Sequence, residues 1–144
     1  MRMPDVNILV YAHRREDPDH EFYRGWVERL ANGPEPFALS VLVAVAFVRI
    51  VTHPAFQPLP TPLPQALAVI DSLAATAACV MPEPGDKLWN LVKSLCDSVP
   101  ARGKMVADAQ HAAVALEHGC TWVTRDSDFE SFRPQGLRVE ILQP

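Results

Sequence analysis

The chain has 144 residues, 49% hydrophobic and 21% charged, which suits one ordinary domain with a core and excludes a disordered tail. Thirteen Lys and Arg against seventeen Asp and Glu leave a formal net charge of -4, which argues against coating nucleic acid by bulk electrostatics but not against handling phosphate through metal ions. No apolar run near the front reaches the roughly 20 residues of a membrane-spanning helix, since Pro36 to Val48 is the longest there.

Asp5 and Asn7 stand where a signal peptide needs its apolar stretch, so export is not expected. Cys79, Cys96 and Cys120 match neither a disulfide framework nor a zinc ribbon, and each sits among apolar neighbours, which predicts buried thiols. The expectation is one domain over residues 1–144, cytoplasmic and free of the membrane. Short apolar runs alternate with longer helical periods, which predicts an α/β fold. Val6 to Tyr11 reads as a buried strand or as a strand turning into a helix, and periodicity alone does not separate the two. From Pro18 to Leu30 the pattern is helical, with Asp19 as a cap and Phe22, Trp26 and Leu30 on one face. Phe37 to Leu39 is a short strand, and Ser40 caps an apolar helix that ends near His53-Pro54.

Five of the fourteen prolines fall between Pro54 and Pro64 and make a stiff loop. Gln65 to Ala75 is helical, Cys79 to Met81 is a short strand, and Leu88, Leu91, Val92 and Leu95 mark another helix. A break from Pro100 to Gly103 leads to a strong helix, Met105 to His118, closed by Gly119. Thr121 to Thr124 is a strand, and Leu137 to Ile141 alternates as an edge strand. Between Pro54 and Pro82 the only charged residue, with histidine counted neutral, is Asp71. That segment is either packed deep in the core or a surface made for another chain.

In an α/β domain the ligand site gathers at the C-terminal ends of parallel strands. Asp5, Asp108, Asp126 and Asp128 all fall near such junctions. Each has a simple structural explanation: Asp108 complements a helix dipole, Asp126 and Asp128 form a turn, and Asp5 bonds its own backbone. Taken together they suit a hard divalent cation, because converged carboxylates repel one another unless a cation sits between them. Small and apolar neighbours of Asp108 predict its burial, with Lys104 or a metal as its partner. Trp26 and Trp89 lie on helical stripes and are expected in the core. His13 and His111 are expected in structural roles. Arg14, Arg15, Arg49, Arg102, Lys104 and Arg125 are the phosphate-contact candidates, with Arg125 first by position; Arg14 and Arg15 have Glu16 and Asp17 beside them as salt-bridge partners.

The runs Met3 to Tyr11, Val106 to Ala109 with Ala112-Ala113, and Val123 to Phe129, in that order, resemble the PIN-domain family. Phe47 to Pro54 is similar to its branch of VapC-type toxins. The resemblance implies a three-layer sandwich, a short parallel sheet of four to five strands flanked by helices. It further implies an endoribonuclease dependent on Mg2+ or Mn2+ that cuts RNA with metal-activated water. The implied partners are an RNA substrate, a cognate antitoxin and a second copy of the chain in a homodimer. Carried over by position, Asp5, Asp108 and Asp126 match the catalytic, metal-binding acids. Asp128 matches a more variable acid, and Asn7 and Thr124 match polar positions that support the cluster. Many members carry a Glu where this chain has Ala46, which removes one ligand. Two further readings follow: a weakened module that only binds a protein, and a metal-dependent DNA nuclease.

Overall fold

A computed structural model describes all residues, 1–144. A five-stranded parallel sheet, in the order β3-β2-β1-β4-β5, is flanked by six helices. The strands are β1 (Arg2–Pro4), β2 (Phe37–Ala38), β3 (Cys79–Val80), β4 (Thr121–Thr124) and β5 (Arg138–Ile141). The helices are α1 (Val6–His13), α2 (His20–Asn32), α3 (Val41–Val51), α4 (Leu63–Ala74), α5 (Leu88–Ser98) and α6 (Lys104–Glu117). The α/β expectation of a short parallel sheet between helices therefore holds. No helix is long and apolar enough to cross a membrane.

The ambiguous front run resolves as a helix. The strand lies one step earlier, in three residues that pair with β2 on one side and β4 on the other. Being central, β1 needs few residues, and Met3 in it is fully buried. Ser40 caps α3 as expected, its Oγ accepting from the Leu42 N–H at 3.2 Å. Asp19 holds the cap position of α2 without a side-chain cap bond. Gly119, at φ 63°, lies just past the end of α6, where a left-handed residue turns the chain into β4. After β4 the chain forms a 3₁₀ segment, Ser127–Gln135, that the sequence pattern did not reveal. It buries Phe129 against Trp122 and Phe132 against Phe129.

The core joins both faces of the sheet, with Phe37, Phe47 and Trp122 fully buried. Two expectations about it fail. Trp89 is 67% exposed, because α5 turns Leu88, Leu91, Val92 and Leu95 inward and leaves its neighbour outside. Trp26 is only half-buried, since the inner face of α2 runs through Tyr23, Val27 and Leu30 instead. Of the three thiols, all unpaired, only Cys120 is buried; Cys79 and Cys96 are half-buried. In the segment with few charges, α4 buries Ala66, Ile70 and Leu73 in the core and exposes Leu63 and Leu67.

Candidate active site

The chain runs from β1 toward β2 on one side, while β4 joins β1 on the other. Connections therefore diverge at the C-terminal ends of β1 and β4, which opens a crevice there. Register sets Pro4 beside Val123, so Asp5 and Thr124 emerge next to each other, tied by Asp5 N–H to Val123 C=O at 2.8 Å. Asp5 also occupies the cap position of α1, yet its carboxylate makes no cap bond. That carboxylate is engaged across the crevice instead. Thr124 Oγ1 donates to Asp5 Oδ2 at 2.5 Å, and Asn7 Nδ2 donates to the same oxygen at 2.9 Å.

Asn7 and Thr124 bind the neighbouring loop as well. Asn7 Nδ2 reaches Thr124 Oγ1 at 3.1 Å, and its Oδ1 accepts the Arg125 N–H at 3.3 Å. Thr124 Oγ1 accepts the Asp126 N–H at 2.9 Å. These two side chains thus fasten β4, and the acids beyond it, to the start of α1.

Helix α6 leads into β4 and runs antiparallel to it, so its N-terminus faces the same crevice. It begins at Lys104, one residue before the expected start, and Asp108 sits one turn inside it, 7% exposed. Lys104 and Asp108 are four apart and share a helix face. Lys104 Nζ donates to Asp108 Oδ2 at 3.2 Å and to Asp126 Oδ2 at 2.9 Å. The partner for Asp108 anticipated from sequence is thus Lys104. Asp126 also caps the 3₁₀ segment, its Oδ1 accepting from the Asp128 N–H at 2.9 Å. Asp128 is exposed on the first turn of that segment.

Electrostatics follow from burial. Asp5, 4% exposed, has its carboxyl pushed up to about 6; burial dominates, the Thr124 hydrogen bond opposes it, and Asp108 and Asp126 add repulsion. Burial also raises Asp108, against the pull of Lys104, with Asp126 and Asp128 adding to the rise. For Asp126 burial is outweighed by the Lys104 ammonium and the Asp128 N–H, and its carboxyl is lowered. Lys104 is raised by its bond to Asp126, against burial and with help from Asp108.

The donors are hard carboxylate oxygens, of the kind Mg2+ or Mn2+ takes, and two of them already share one positive charge. Their chemistry fits such an ion. In this conformation no three His, Cys, Asp or Glu close around one point; Lys104 holds Asp108 and Asp126, while Thr124 and Asn7 hold Asp5. Ala46, half-buried on α3, offers no donor.

Arg125 lies with its guanidinium carbon 3.9 Å from the Tyr11 ring centroid and 5.2 Å from that of Tyr23. Its Nη2 is 3.7 Å from Asp19 Oδ2. Arg14 lies over Phe56 rather than beside Glu16 or Asp17. His13 bonds Thr61 at 2.8 Å and meets Phe47 edge-on, and His111 stacks on Trp122. Apart from the acids, a cleft of roughly 1140 Å³ runs between α1, α2 and α4, lined by Leu9, Val27, Val69 and Leu73 among others. No pattern in the sequence pointed to it, because its walls come from three helices.

Residues 2–133 match the family model described as PIN domain. The chain belongs to the PIN-domain family. Ribonuclease VapC43 of Mycobacterium tuberculosis is 42% identical over 129 residues, covering 90% of this PIN domain and 88% of that protein. Ribonuclease VapC25 of the same organism is 35% identical over 132 residues, covering 92% and 93%. These identities place the PIN domain in the VapC branch. Among solved structures, Mycobacterium tuberculosis VapC20, described as a sarcin–ricin loop cleaving toxin, aligns with a TM-score of 0.68 over 100% of both chains, at 14% identity. VapBC2 from Rickettsia felis, bound to a DNA fragment from their promoter, aligns with a TM-score of 0.67 over 96% of both chains, at 20% identity. At such identities these two structures bear on the fold alone.

Proposed function

We propose that this PIN domain is a divalent-metal-dependent endoribonuclease and the toxin of a toxin–antitoxin pair. The observation that carries the reading is that Asp5, Asp108 and Asp126, from three distant segments, are neighbours at the diverging ends of β1 and β4, the last two bridged by Lys104. The identity to VapC ribonucleases supports RNA as the substrate. Asp5, Asp108 and Asp126 would hold Mg2+ or Mn2+. When bound, such an ion supplies an activated water and stabilises charge on the phosphate and the leaving oxygen.

The chain's own residues supply the rest. Thr124 and Asn7 fix the Asp5 carboxylate, so it need not reorganise when a cation arrives. Asp128, exposed beside the cluster, adds negative charge that Asp108 feels. Arg125 is the residue assigned to the substrate phosphate, and to serve there its guanidinium exchanges Asp19 for that phosphate.

A cognate antitoxin and a second copy of the chain are the partners this reading assigns. The cleft between α1, α2 and α4, where apolar Leu9, Val27 and Leu73 alternate with charged Arg24 and Glu28, offers a seat for a partner's amphipathic helix. Exposed Val45, at 63%, and Leu63, at 54%, provide apolar surface for self-association. Sedimentation of the purified chain checks that association, with two chains per particle expected.

The activity is tested on matched single-stranded RNA and DNA with Mn2+ or with EDTA. Cleavage of RNA in Mn2+ is expected, with none in EDTA and little on DNA. Asp5→Asn and Asp108→Asn should each slow it about a hundredfold or more, the scale of losing one group that stabilises developing charge. Undiminished cleavage by Asp108→Asn would sink the proposal, and preferential cutting of the DNA would move the substrate class.

A further inference from the structure

The acidic cluster already has a cation, and it belongs to the protein. Lys104 Nζ stands 3.2 Å from Asp108 Oδ2 and 2.9 Å from Asp126 Oδ2, so one ammonium bridges an acid of α6 and an acid beyond β4. Helical spacing forces the first contact, since Lys104 lies one turn before Asp108 on the same face. The second ties the start of α6 to the loop that follows β4. The side chain of Lys104 is 68% exposed, against 10% for Asp108. The ammonium therefore reaches in from the rim and can leave without opening the core. Both contacted atoms are the Oδ2 oxygens of acids that the functional reading assigns to the metal.

We propose that Lys104 is the resident counter-ion of the metal site. It is a positioning residue that holds Asp108 and Asp126 together before metal arrives, and it competes with the divalent cation for their oxygens. The inference rests on the assignment of these acids to a metal. The physical reason is that two carboxylates facing one point repel unless something positive lies between them. An ammonium does this with three donors and no fixed coordination geometry, whereas Mg2+ demands a near-octahedral shell that it usually completes with waters. An ammonium resting on these carboxylates repels an arriving divalent cation, so each occupant lowers the apparent affinity of the other.

The test is calorimetric titration of Mn2+ alone, without RNA, into the full chain and into Lys104→Met and Lys104→Arg. Removing the competing charge should tighten Mn2+ binding about three- to tenfold in Lys104→Met, the range expected for losing mostly exposed ion pairs. Lys104→Arg should stay near the parent. Metal-free Lys104→Met should melt lower than the parent, and its gain in melting temperature on adding Mn2+ should be larger. A role confined to structure would instead weaken metal binding in Lys104→Met. Equal or weaker Mn2+ binding by that variant therefore overturns the proposal. On the unmutated chain, the Lys104 side-chain resonance should shift as Mg2+ is titrated in, and an unmoved resonance at saturating metal overturns it as well. If neither parent nor variant binds Mn2+, the metal reading of the three acids fails, and this inference with it.

Discussion

At Asp5, burial and hydrogen bonding pull against each other, and burial prevails. A carboxyl at about 6 in the folded chain and near the usual 3.9 when unfolded binds a proton more tightly in the folded state. Its stabilising contribution is therefore complete below the unfolded value and is lost as pH rises through about 6. Asp108 is displaced in the same direction and Asp126 in the opposite one. In EDTA, Asp5→Asn should melt higher than the parent at pH 7.5, with the advantage fading toward pH 4; thermal melts across that range check it. Metal affinity should run the other way. Mn2+ needs the ionised carboxylate, so binding measured at pH 5.5 should be weaker than at pH 7.5. Asp5, Asp108 and Asp126 stood out in the sequence as acids near junctions. Which of their oxygens are engaged, and by whom, was not visible there, because Thr124 and Asp5 lie 119 positions apart.

Among the elements, α3 and α6 were legible and β1 was not. Ser40 before a long apolar run announces α3, and the cap bond it makes is worth about 1 kcal/mol. Ser40→Ala should lower stability by about that amount in urea unfolding, with little effect on metal binding. Gly103 at φ 60° and ψ -128° turns the chain into α6, and an L side chain there is strained even though nothing lies within 4 Å of its would-be Cβ. Gly103→Ala is expected to destabilise the chain by about 1–3 kcal/mol through backbone strain, and to weaken the Lys104 bridge by shifting the start of the helix. Three residues are too few to carry a period, so β1 is a strand only because β2 and β4 flank it. The 3₁₀ segment was hidden for a related reason: Asp126, Ser127 and Asp128 read as a turn, and only the burial of Phe129 and Phe132 extends it.

Over the whole molecule, the four acids near the crevice account for the net charge, since without them acids and bases balance at thirteen each. A chain with no basic excess has little to attract a polyanion until a cation sits in the crevice. RNA binding followed by anisotropy should therefore be weak in EDTA and rise on adding Ca2+ or Mg2+, and strong metal-independent binding would contradict this. Composition, cap residues and the alternation of short and long apolar periods determined the α/β class, most helices and which acids to watch. These are local properties, encoded within a turn or a strand. Tertiary structure alone decided that Lys104 also reaches Asp126, that Asn7 and Thr124 clamp Asp5, that Trp89 faces outward, and that three helices line a cleft. Strand order and the inward face of each helix set those, and both depend on contacts between residues far apart in the chain.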